Sequence, residues 1–305
     1  MIAGLQKKAR NYLFRMRASL QLDRSMILQG NIRAEQILGK GKLPCLSDAG
    51  FGVFSQTDED GILSWLVDRL GVKTRTFVEF GVHDYRESNT RYLLATRNWS
   101  GLVIDGDSAN IQSILKDEIA IKYDLQAVSA FITRDSIGGL IRAAGFTDRV
   151  GILSTDIDGV DYWVLERAGI EADIVVVEYN DFLGDLPVTV PYSPTFSRLA
   201  EDPHGVYWGA SLAAFRSHLE GRGYVFVGTN ILGINAFFVH ADHAATIKQW
   251  LEDFVAHRCV MREARDSSGS QVNKQYREFT AAVASKPLVR VDTGETVQLG
   301  DVCRR

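Results

Sequence analysis

Two stretches, Thr76-Phe-Val-Glu-Phe-Gly81 and Gly101-Leu-Val-Ile-Asp105, decide the fold class. Each is a short apolar run that stops at a glycine or an acid, too brief for a helix and bounded by turn residues. A helical pattern through Arg97 separates them, and another helix is predicted from about Ser108. Val150-Gly-Ile-Leu-Ser-Thr-Asp156 and Asp173-Ile-Val-Val-Val-Glu178 repeat the motif, with a helical pattern over 162–168 between them. The third strand is read over 127–133 rather than 119–123, because a helical stretch at 137–144 follows it. Strands alternating with helices, and apolar on both faces, predict a parallel α/β sheet. After a helix over 210–220, the runs 224–228 and 235–240 are joined by a short turn and read as an antiparallel ending to that sheet.

Working outward, residues 1–70 read as a helical extension and 71–241 as the sheet domain, with an insertion at 181–209. Residues 242–305 read as a helix (244 to about 265) and a charged tail. Within the extension, apolar residues at 62, 63, 65, 66 and 70 share one helical face. Ser55 or Thr57 is placed to cap that helix and Gly71 to stop it. At 305 residues, 46% hydrophobic, the chain can fill a complete core. A formal net charge of −4 argues against a general nucleic-acid binder, which needs positive charge to neutralise phosphates. Cys45, Cys259 and Cys303 are widely spaced and lack metal-ligand spacing, which points to free thiols in a reducing compartment. No apolar run approaches the ~18–20 residues of a membrane span. The N-terminus carries Lys7, Lys8, Arg10, Arg15 and Arg17 among Leu and Phe, without an apolar core or cleavage site of a signal peptide. A cytoplasmic location is therefore expected. That basic segment reads as a packed helix or an arm, with weak contact to a membrane surface as the alternative.

Acidic residues end the clearer parallel strands in turn: Glu79, Asp105, Asp156 with Asp158, and Glu178 followed by Asn180. A single strand-end carboxylate is commonly solvated or caps a helix. Four along one edge predict a polar crevice, and ligands of open α/β sheets lie beyond the carboxyl ends of the strands. Gly81 permits close backbone approach there. Asp105, 24 residues on, is placed to accept hydrogen bonds from ribose hydroxyls. The turn Gly81-Val-His-Asp-Tyr-Arg86 has one glycine rather than the three of G-x-G-x-x-G, so a pyrophosphate fits it poorly. A ligand with one ribose and no phosphate, S-adenosylmethionine, fits better.

Val78-Glu-Phe-Gly81, Gly101–Asp105, Ser154-Thr-Asp-Ile-Asp-Gly-Val-Asp-Tyr162 and Val177-Glu-Tyr-Asn180 together resemble class I S-adenosylmethionine-dependent methyltransferases. The segment starting at Asp156-Ile-Asp-Gly is most similar to the FkbM type, in which an acidic stretch follows the fourth strand. Tyr207-Trp-Gly-Ala-Ser-Leu212 with Asn235-Ala-Phe-Phe-Val239 is similar to the methyltransferase ending, and the resemblance covers about residues 54–241. It implies a Rossmann-like, mostly parallel sheet with its last strand antiparallel. By the same resemblance Glu79 and Gly81 would lie by the methionine portion, with His83 and Asp156 adjoining. Asp105 would hold the ribose, and Asp135 would supply an adenine contact from the end of the third strand. The implied reaction is methyl transfer to an oxygen of a saccharide or small-molecule natural product. The sequence departs from the family in placing His83 where glycine is common and in reading Asp-Ile-Asp for Asp-Val-Glu.

Alternate residues on a strand face the same way and parallel strands lie about 4.8 Å apart, so Asp156, Asp158, Glu178 and Asn180 are a candidate set for Mg²⁺. The competing reading has the same groups orienting ligand or capping helices without metal. Base candidates are Asp156, His83 and His204, the last in the insertion. His218 and His257 read as structural or surface residues. The insertion holds four of the six prolines together with Tyr192, Phe196, Tyr207 and Trp208, and is expected to act as a lid or acceptor loop. Two other functions stay open: a glycosyltransferase using Asp156-Ile-Asp158 on Mn²⁺, and a non-catalytic module that kept the fold.

Overall fold

The computed structural model describes residues 21–261, 263–266 and 268–303. The basic segment discussed above lies outside them. The parallel strands are β1 (Thr76–Phe80), β2 (Ser100–Asp105), β3 (Leu125–Ser129), β4 (Val150–Thr155) and β5 (Ala172–Glu178). A two-residue strand in the insertion, β6 (Val188–Thr189), precedes β7 (Tyr224–Thr229) and β8 (Asn235–His240), and the tail adds β9 (Pro287–Arg290) and β10 (Thr296–Gln298). Seven of these form one sheet in the order β3-β2-β1-β4-β5-β8-β7. β8 runs antiparallel to both its neighbours, as the sequence predicts for the end of the sheet. The strand order reverses between β1 and β4, which places a topological switch point at the carboxyl ends of these two strands.

Period-two alternation assigns side chains to the two faces. Phe77, Val103, Ile152, Ile174 and Val176 pack with Ile37, Leu46, Ile62 and Trp65 of the N-terminal extension. Their strand neighbours Val78, Leu102, Leu153, Val175 and Val177 pack on the other side with Val190 and Val206 of the insertion and Leu288 and Leu299 of the tail. Both faces are dry, which is why these strands read as continuous apolar runs. Each such fully buried side chain stabilises the fold by ~1.5–3 kcal/mol. The helix Glu59–Leu70 stops at Gly71, in a left-handed conformation; its N-cap is Asp58 rather than Ser55 or Thr57, although the Ser55 hydroxyl accepts from the Asp60 amide at 3.2 Å. A second, three-stranded sheet, β10-β9-β6, joins the insertion to the tail. Among the described residues, no helix is long and apolar enough to cross a membrane.

Three elements differ from the sequence reading. The third strand, read over 127–133, spans Leu125–Ser129. The helix expected directly after Gly81 begins only at Arg91 and ends at Arg97. The intervening turns hold His83 and Tyr85 at φ 48° and 62°, a region costly for residues with a Cβ. The C-terminal helix, expected to reach about residue 265, ends at Trp250. There the backbone leaves the helix to bond residues 43 and 44, with Glu252 N–H donating to Leu43 O at 2.9 Å and Asp253 N–H to Pro44 O at 3.0 Å.

Candidate active site

The site lies at the switch point and is set by how closely β1 and β4 converge. Gly81 has φ +73°, and a Cβ there would sit 1.6 Å from the carbonyl oxygen of Asp156. Glycine is thus demanded first by the neighbouring strand end. The turn after it is pinned by Asp105, which accepts from His83 N–H (2.8 Å), Asp107 N–H (2.8 Å) and Asn110 Nδ2 (3.1 Å). A carboxylate offers about four lone-pair sites, so one direction stays open. Asp105 lines a cavity of about 180 Å³ together with Gly81, His83, Phe131, Ile132 and Phe196. Its walls are largely apolar, with Asp105 a buried acid among them.

Glu79 is buried and caps the delayed helix, accepting from Asn89 N–H at 2.8 Å, Thr90 N–H at 3.2 Å and the Thr90 hydroxyl. Burial pushes its carboxyl up to about 7, against the pull of these three bonds. Its role is to hold the 82–90 turns rather than to reach freely into the cleft. It nevertheless lines a second cavity of about 200 Å³ that adjoins the first through Gly81, His83, Asp156 and Asp158.

The second cavity is acidic. Asp161, at the start of the helix Asp161–Arg167, gathers Ile157 N–H (2.8 Å), Gly159 N–H (3.0 Å) and the Thr155 hydroxyl (3.1 Å). This tight turn puts Asp158 at φ 55° and brings the oxygens of Asp156, Asp158 and Glu178 within 4.8 Å of one another. Burial, and then the neighbouring carboxylates, hold the Asp156 and Glu178 carboxyls well above the usual range. Glu178 Oε2 accepts no hydrogen bond. Arg198 closes the far wall. It bonds Asp158 through Nη1, the Gly205 carbonyl at 2.8 Å and the Tyr276 hydroxyl at 2.5 Å, and lies 3.5 Å from Glu263. Its guanidinium stacks 4.5 Å from the Trp208 ring centroid.

Of the residues named from sequence, the cleft gathers Glu79, Gly81, His83, Asp105, Asp156, Asp158 and Glu178. Three fall elsewhere. Asn180 is buried with its amide spent: Nδ2 donates to Val206 O (3.1 Å) and Trp208 O (3.0 Å), and Oδ1 accepts from Phe182 N–H (3.1 Å). It caps a turn and is no partner of the acids. Asp135 is exposed and paired with Arg134 at 3.7 Å; beyond β3 the cavity wall is Phe131 and Ile132 instead. His204 bonds the Arg265 carbonyl at 2.9 Å and stacks on Phe279 with centroids 4.5 Å apart, tying the insertion to the tail away from the acids. Among the insertion aromatics only Phe196 lines either of these two cavities. Sequence reading missed Arg198, Asn235 and Glu263. A lone arginine in a proline-rich loop was a usable signal for the first; the other two depend on strand pairing and on the path of the tail.

No known protein family matches the sequence, and no curated protein matches it.

Solved structures of methyltransferases do match. The CurJ carbon methyltransferase is 12% identical over 64% of this chain and 56% of that one, with a TM-score of 0.38. A S-adenosylmethionine-dependent methyltransferase from Clostridium acetobutylicum is 8% identical over 60% of this chain and 90% of that one, TM-score 0.38. A putative sarcosine dimethylglycine methyltransferase from Galdieria sulphuraria is 12% identical over 55% and 60%, TM-score 0.37. The chain spans little more than half of CurJ and of the pyocyanin biosynthetic protein PhzM, at 56% and 57%. With identities this low and TM-scores below 0.4, the chain's own residues remain the ground for assigning a function.

Proposed function

We propose that this protein transfers a methyl group from S-adenosylmethionine to a hydroxyl of a saccharide or hydroxyl-rich small molecule. One observation carries the reading: a buried Asp105, fixed by three hydrogen bonds, faces a largely apolar cavity at the switch point directly beside the Gly81 turn. The chemistry of that cavity fits a nucleoside. Asp105 would hold ribose hydroxyls with its remaining acceptor capacity, and Phe131 and Ile132 would flank the base. When bound, the cofactor supplies a methyl group activated by its sulfonium charge, which the neighbouring acids favour.

The acidic cavity takes the acceptor. Glu79, Glu87, Asp156, Asp158, Glu178 and Glu263 line it with the amides of Gln56, Asn89 and Asn235. Such a wall accepts hydrogen bonds from many hydroxyls and repels phosphates, which favours a neutral polyol over a nucleic acid. Asp156 stands at the junction of the two cavities, within reach of both ligands, where its carboxylate form can serve as a base. It and Glu178 can take the hydroxyl proton, with Arg198 fixing Asp158 and the loop above. Proximity and alignment supply the rest of the acceleration.

Isothermal titration of the full chain with S-adenosylhomocysteine tests the assignment. Binding that Asp105→Ala weakens by at least about tenfold is expected, since a hydrogen bond from the ribose to a charged group is lost and the turn that Asp105 pins is released. Absence of such binding, together with Mn²⁺-dependent binding of a nucleotide sugar, would replace the proposal with a glycosyltransferase.

A further inference from the structure

We infer that the acidic cavity contains a divalent-cation site built by Asp156, Asp158 and Glu178 with the amide oxygen of Asn235. This goes beyond the methyl-transfer reading and would give Asp156 and Glu178 a ligand's role in place of a base's, while its test needs no methyl transfer. Three carboxylates within 4.8 Å of one another are by themselves commonplace. What singles these out is the amide beside them.

Asn235 begins β8 and is the direct cross-strand partner of Glu178 at the end of β5. It is 5% exposed and lines the same cavity as the three acids. Its Nδ2 donates to Glu59 Oε1 at 2.9 Å, an oxygen that also receives Asn230 Nδ2 at 2.8 Å. A carboxylate oxygen only accepts, so the amide cannot be turned round, and its carbonyl oxygen is committed to the opposite side. There Asn235 Oδ1 is buried without a hydrogen-bond partner, as is Glu178 Oε2 next to it. A buried acceptor left unpaired costs ~1–3 kcal/mol, so two adjacent ones call for a group that brings positive charge. Arg198 acts on Glu178 only through space, and its hydrogen bonds go to Asp158, Gly205, Tyr276 and Glu263, so neither oxygen gains a partner from it.

The donor set is all oxygen, three carboxylates and one carbonyl, which suits a hard cation such as Mg²⁺, Mn²⁺ or Ca²⁺ rather than Zn²⁺. Asp158, whose side chain is half exposed, keeps a second oxygen beyond the one held by Arg198. Water and an acceptor hydroxyl would complete the coordination from the open cavity.

Mn²⁺ binding to the full chain, followed by electron paramagnetic resonance and by calorimetry, tests this without any methyl acceptor. One Mn²⁺ per chain is expected, with a dissociation constant at or below about 1 mM, displaced by Mg²⁺ or Ca²⁺. Glu178→Gln and Asn235→Ala should each weaken it at least about tenfold, and Glu118→Gln on the exposed surface should leave it unchanged. If Asn235→Ala unfolds through loss of its Glu59 bond, Glu178→Gln, which leaves that bond in place, carries the test. No loss of the free Mn²⁺ signal up to about 10-fold this concentration, or equal binding by wild type and Glu178→Gln, overturns the inference.

Discussion

Gly81 and Gly71 permit a controlled measurement of what the strand convergence at the site is worth. Both glycines have positive φ, +73° and +63°. Replacing either by alanine imposes the left-handed penalty of ~1–2 kcal/mol. A Cβ at Gly71 meets nothing within 4 Å, so Gly71→Ala should cost about that much and no more. At Gly81 the same Cβ would stand 1.6 Å from the Asp156 carbonyl oxygen and 2.6 Å from its carbonyl carbon. These are backbone atoms that cannot rotate away, so β1 and β4 must part by more than 1 Å. Overpacking of this kind adds ~1–3 kcal/mol, which puts Gly81→Ala at about 2–5 kcal/mol in total. Because Asp156 moves with its backbone, a displacement of this size should also lower cofactor-dependent turnover by about two orders of magnitude. Urea unfolding of wild type and both variants reads the first quantity, and methyl transfer by Gly71→Ala against Gly81→Ala reads the second. Equal destabilisation of the two variants, within about 0.5 kcal/mol, would refute the steric account and leave Gly81 a turn residue like any other.

Three further outcomes are expected. Glu79 titrates near 7 in the folded chain against 4.5 in the ordinary range, so the folded state binds its proton more tightly than the unfolded one. Stability from this group is therefore greatest below pH 4.5 and falls as pH rises towards 7 and beyond, by about 3 kcal/mol in all; the unfolding free energy of Glu79→Gln, measured from pH 5 to 8, should lack that decline. His204→Ala should lower the melting temperature through loss of the Phe279 stack and the Arg265 bond, yet change kcat by less than about threefold, as a residue outside the cleft should. Arg198→Met removes the ties to Asp158, Gly205, Tyr276 and Glu263, and limited proteolysis should then cut within 181–209 and 258–276 several times faster than in wild type.

The sheet was legible because both its faces are buried, so each parallel strand appears as an uninterrupted apolar run with an acid at its end. The same positional logic found Glu79, Asp105, Asp156, Asp158 and Glu178, which sit at the carboxyl edge whatever the loops do. It failed where tertiary pairing decides. Asn180 has the right spacing from Glu178 but is captured by the carbonyls of Val206 and Trp208, while Asn235, 57 residues further on, is brought beside Glu178 by antiparallel register. Nothing local in the sequence states that register. Asp135 was assigned to the crevice because the third strand was read too far along; ending at Ser129, it leaves Phe131 and Ile132 at the cavity. His204 was chosen for its chemistry, and a loop histidine's partners cannot be read from its neighbours.

The wall formed by Arg198, Glu263 and Tyr276 has a consequence for the order in which the molecule is completed. The sheet and the Asp105 cavity use residues up to His240, all of which leave the ribosome before the tail does. The acidic cavity acquires its outer side only when Glu263 and Tyr276 arrive and β9 pairs with β6. The residues that line the Asp105 cavity thus precede in the chain those that wall the acidic one.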